Sequence, residues 1–78
     1  MDDEAIISLF FARSESAITA LDEKYGSTCR RISRQILPSI EDVDEVVSDA
    51  YLGVWNAIPP EKPNPLSSFL YKYFIFSS

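Results

Sequence analysis

Five carboxylates crowd the segment SIEDVDEVVSDAYLGVWNAI, Ser39 to Ile58: Glu41, Asp42, Asp44, Glu45 and Asp49, with no lysine or arginine among them. Acidic side chains at this spacing can hold a hard cation, pass protons or receive a basic partner. Cation binding needs oxygen ligands from several sides. One helical face cannot wrap an ion, and the chain has no histidine and no second carboxylate cluster to close the shell. No Ser-His or Cys-His arrangement and no glycine-rich phosphate loop accompanies the carboxylates, so neither catalysis nor a cofactor is expected. Docking of a basic partner is the chemistry left. The five charges match the chain's whole net charge of −5, so the molecule's imbalance sits on this one element.

A helix advances about 100° per residue, which puts Asp42, Glu45, Asp49, Leu52 and Asn56 on one narrow stripe, roughly opposite Val47, Val54 and Ile58. Ile40, Val43, Val46, Val47, Ala50, Val54 and Ile58 recur with helical spacing and point the other side into a core. A plain solvated face is the alternative. Two details favour docking. Like charges at i, i+3 and i+4 repel with no basic residue to relieve them, so the stripe costs helix stability. Leu52 stands in the middle of the row as an apolar anchor. Tyr51 and Trp55 border the apolar face, where core packing with the polar tip outward is expected. Arg30, Arg31 and Arg34 are the only basic cluster, a small footprint for nucleic acid; they read as solvated or paired with the acidic helix. The net negative charge likewise argues against phosphate as the main partner.

These side chains need a scaffold. Seventy-eight residues make one small domain, 46% hydrophobic and 24% charged, too short for a large enclosed cavity. Asp2 and Asp3 can cap a first helix with Ile6, Ile7, Phe10 and Phe11 on its apolar side, and Arg13-Ser14-Glu15 breaks it. From Ser14 a longer helix carries Ile18, Leu21, Tyr25, Cys29, Ile32 and Ile36 down one side and ends at Leu37-Pro38. Gly26 within it implies close helix packing or a kink. Ser39 caps the acidic helix, with Asp42 completing a short capping box, and Pro59-Pro60 stops it. Asn64 as cap and Pro65 at the first position open a last helix with Leu66, Phe69, Leu70 and Tyr73 on one face. The expected fold is an all-α bundle of three to four helices. One cysteine, no secretory-type leader and no membrane-length apolar run fit a reducing cytoplasm and no membrane. The closing aromatics Phe74 and Phe76 would lie uncovered, which implies a piece of a longer protein.

DVDEVVSDAYLGVWNAIPP, preceded by an amphipathic helix ending QILPS and followed by NPLSSFLYK, resembles region 2 of sigma-70 family sigma factors, extracytoplasmic-function class. The resemblance runs from about Asp3 to Lys72. It implies a region 2-like helical domain over 1–78, not an enzyme, that docks on the clamp-helix coiled coil of the core RNA polymerase beta-prime subunit in transcription initiation. It gives contact roles to Asp42, Glu45, Ser48, Asp49 and Leu52, and Asn56 shares their stripe. Ser48 stands where a longer amide is usual in that family, and Tyr51 where phenylalanine is common. Family members continue with polar and basic residues that melt promoter DNA, and a second domain reads the upstream element. Here YFIFSS follows Lys72, so promoter contact is expected only through an intact parent protein and no DNA-binding residue is assigned; an anti-sigma factor is a further partner the resemblance implies. A stand-alone acidic regulator module is the competing expectation.

Overall fold

The structure is a computed structural model that describes the backbone of residues 1–76 and the side chains of residues 1–74. Four helices follow in order: α1 (Asp3–Phe11), α2 (Ser16–Ile36), α3 (Ile40–Ala57) and α4 (Leu66–Phe76). This is the expected all-α bundle. Asp2 starts α1 by accepting from the Ala5 amide at 2.8 Å. α2 begins two residues later than Ser14, whose hydroxyl accepts from the Ser16 amide at 3.3 Å. Ser39 occupies the N-cap of α3 with extended backbone, yet neither it nor Asp42 forms the expected capping box; no side chain closes that end. The acidic first turn, Glu41 and Asp42, instead offsets the positive pole of the helix.

One core joins all four helices. Ile6 and Phe10 enter from α1; Ala17, Ala20, Leu21 and Cys29 from α2; Val43, Val47, Ala50, Tyr51 and Val54 from α3; Leu66, Leu70 and Phe74 from α4. The deep line of α2 adds Ala17 and Ala20, small residues that its apolar spacing did not mark, to the expected Leu21 and Cys29, while Ile18, Tyr25 and Ile32 flank the core. Ser33 joins this line at 2% exposure because its hydroxyl donates back to the Cys29 carbonyl at 2.9 Å. Burial pushes the Cys29 thiol up to about 11, so it is an inert apolar filler.

Several residues depart from expectation. Ile36 and Ile40 are 50% and 69% exposed at the α2–α3 corner, where Leu37 turns inward in their place. Phe11 faces out beneath the Lys62 ammonium, 5.4 Å from the ring centre. Phe74 is not uncovered: it is 2% exposed and continues the row Leu66, Leu70, Phe74, spaced by four. Phe76 lies outside the described side chains. Tyr73 lies over α3, its hydroxyl donating to the Gly53 carbonyl at 3.3 Å and its ring filling the space a Gly53 side chain would need. Gly26 is buried midway along α2, which runs unbroken past it. A side chain at Gly26 would overlap the Asp22 carboxylate and meet the Arg30 guanidinium, so the glycine makes room for an ion pair on its own helix.

Asp3 ties α1 to α2. Its carboxylate accepts from the Lys24 ammonium at 2.8 Å and from the Tyr25 hydroxyl at 2.6 Å. The Lys24 bond holds the Asp3 carboxyl below the usual value of 3.8, with help from Tyr25 and the Leu66 amide of α4, against an opposing effect of burial. A depressed folded value means the unfolded carboxyl takes up its proton first. The stabilisation is therefore present above the ordinary value of 3.8 and fades as pH falls through the lower folded value. Asp3→Asn is expected to cost about 1 kcal/mol at neutral pH, part of a charge-assisted bond discounted for solvent. Thermal melts of variant and parent should converge in acid below the ordinary carboxylate range; a constant difference at every pH would contradict the linkage.

Candidate docking face

Asp42, Glu45, Ser48, Asp49, Leu52 and Asn56 are all exposed, and they share one side of α3. From Asp42 to Asn56 the stripe is about 21 Å long at the helical rise. The opposite side, Val43, Val47, Ala50, Val54 and Ile58, is at most 3% exposed and fixes the rotation of the helix about its axis. Val46 packs at the margin. Leu52 is 56% exposed, and with Ile18, Ser48, Tyr51 and Trp55 it lines an open groove of about 250 Å³ between α2 and α3.

The carboxylates of the molecule fall into two sets. Asp3 and Asp22 are neutralised internally, by Lys24 at 2.8 Å and by Arg30 at 2.9 Å. Among the described residues these are the two ion pairs, and neither touches the α3 stripe. Arg30 therefore pairs within its own helix and not with the acidic one. Tyr51 keeps its expected packing, at 7% exposure, but its hydroxyl turns inward and donates to Asp22 at 2.8 Å. Burial, then the Asp22 bond, pushes that hydroxyl's pKa upward, so Tyr51 is a neutral donor locking α3 onto α2. Beside this lock a second open groove, about 470 Å³, is lined by Thr19, Asp22, Arg30, Asp44 and Ser48 among others. Asp44 thus belongs to the α2 side of the helix and not to the stripe.

Trp55 is half-buried and meets two groups that the sequence did not connect with it. Phe10 packs against its ring at 6.1 Å, tilted by 59°. The Arg13 guanidinium stands 3.8 Å from the ring centre and donates to the Trp55 and Ile58 carbonyls at 2.6 and 3.0 Å. Pro59-Pro60 was the available signal, since two residues without N–H must leave helical carbonyls open.

Among the described residues no group of three or more histidine, cysteine, aspartate or glutamate side chains lies close enough to hold a metal ion, and no helix is long and apolar enough to cross a membrane. The described residues thus form a helical bundle with a charged ridge on a helix braced from behind. The Sigma-70 region 2 family model matches residues 21–74, from the second turn of α2 to the core residue Phe74. The chain belongs to that family, whose modules serve transcription through interaction with core RNA polymerase and are not catalytic. No curated protein and no solved structure matches it.

Proposed function

We propose that the stripe Asp42, Glu45, Ser48, Asp49, Leu52 and Asn56 is the surface with which this region 2 module docks on core RNA polymerase, and that its partner is the basic clamp-helix coiled coil of the beta-prime subunit. One observation carries the reading: the stripe carboxylates Asp42, Glu45 and Asp49 face solvent and form no ion pair among the described residues, although the same chain neutralises Asp3 and Asp22. Like charges held together on one helix are relieved when a cationic surface covers them. Leu52 supplies the apolar centre of the contact and Asn56 and Ser48 hydrogen bonds at its rim. Promoter DNA is reached through the parent sigma factor, and an anti-sigma factor would compete for the module. The site of action is the cytoplasm, where polymerase works.

The test is direct binding of the labelled chain to bacterial core polymerase across a salt series. Affinity should fall roughly tenfold between about 0.1 and 0.5 M salt as the carboxylates are screened. Leu52→Ala should weaken binding about tenfold at every salt concentration, as loss of a central apolar anchor does. Salt-independent binding that also ignores Leu52 would remove this face from the interface.

A further inference from the structure

Pro59 and Pro60 follow directly on the end of α3 and carry no N–H. In a helix each carbonyl is closed by the amide four residues on, so the carbonyls of Trp55 and Asn56 have lost their backbone donors by sequence alone. Their neighbours are served. The Ile58 amide donates to Val54 at 3.0 Å, and the Glu61 amide to Ala57 at 3.1 Å. The donor missing at Trp55 arrives from the α1–α2 corner: Arg13 Nη1 donates to Trp55 at 2.6 Å and to Ile58 at 3.0 Å. α3 has no basic residue in its last turn, so this guanidinium is also the cation at the negative pole of the helix.

Arg13 holds an unfavourable backbone to do this. Its φ of 54° makes it the one non-glycine residue with positive φ among the described residues, in a conformation that glycine adopts freely. Glycine would suit the corner better, but it would bring no guanidinium. The geometry points to Arg13 as a positioning residue for the docking face: it caps α3 from outside the helix, stacks on Trp55, which also packs against Phe10, and so fixes the final turn that bears Asn56 and, one turn back, Leu52. The functional half of this inference rests on the docking reading above, and the structural half on the contacts alone.

Trp55 is the chain's only tryptophan, so its emission reports on this corner. Arg13→Gly relieves the backbone and removes the clamp; Arg13→Lys keeps a cation that can reach one carbonyl but cannot donate to two while stacking. The glycine variant is expected to raise acrylamide quenching of Trp55 about twofold and to weaken core polymerase binding about fivefold, with far-UV circular dichroism still helical. The lysine variant should recover part of both losses, a rescue that a general packing role would not give. Unchanged quenching in Arg13→Gly overturns the clamp. Increased quenching with unchanged binding overturns the positioning role. If Arg13→Gly does not fold, the same readouts on Arg13→Lys decide: intermediate losses support the clamp, and parental values overturn it. Failure of docking itself would appear separately, as binding by the parent chain that is insensitive to both salt and Leu52.

Discussion

Asp49→Arg should reduce capture of core RNA polymerase at least about a hundredfold while the isolated chain melts no earlier than its parent, and the combination is what makes the result diagnostic. Asp49 sits mid-stripe, exposed and outside the core, so an arginine there displaces no packing. Against a cation about 5 Å away at an effective dielectric of 20, each unit charge is worth roughly 3 kcal/mol, and reversal replaces attraction by repulsion. A hundredfold loss needs about 2.7 kcal/mol, well within that range. Inside the chain the change works in the opposite direction. Glu45 and Asp49 repel at i, i+4, whereas glutamate followed by arginine at that spacing attracts by a few tenths of a kcal/mol. A variant that binds as well as the parent would refute the docking face; one that unfolds would show that Asp49 serves the fold.

The largest expected effect on stability is at the other end of the bundle. Phe74→Ala should cost about 3–5 kcal/mol, the usual penalty for emptying a buried phenylalanine site. Phe74 is 2% exposed and extends the Leu66–Leu70 row. Small domains have totals near the lower end of about 5–15 kcal/mol, so this single truncation is expected to leave the chain largely unfolded at ambient temperature. Lys72→Ala, two residues away and exposed, should change the melt by less than about 0.5 kcal/mol. Denaturation followed by circular dichroism distinguishes them. Equal, small shifts for both variants would mean that α4 does not depend on Phe74.

The fold and the stripe were legible in the sequence for the same reason: large aliphatic residues and charges at helical spacing report directly which side of a helix faces which solvent. Val43, Val47, Val54 and Ile58 show this on α3. Where the signal was carried by small or amphipathic residues it was harder to read. Ala17, Ala20 and Ser33 line the deep side of α2 because their size admits close approach, and apolar spacing that counts large residues passes over them. Ile36 and Ile40 have the right spacing but fall at a corner, where the two helices turn away from a shared interior. Tyr51, Asp22 and Arg30 form a polar lock across 29 and 8 positions of chain, a pairing that local pattern does not encode. Arg13 reaches its carbonyls across more than forty positions, and only the donor deficit at Pro59-Pro60 hinted that something must.

The separation of the carboxylates into a set paired within the chain and an exposed set has a consequence for how such a chain can change over generations. Substitutions at Asp3 or Asp22 break contacts between or along helices and are punished whatever the module binds. Those along Asp42, Glu45 and Asp49 leave the interior alone. On the docking reading proposed above, a change in the exposed set alters what the module holds while the bundle stays folded, whereas a change in the paired set alters the bundle itself.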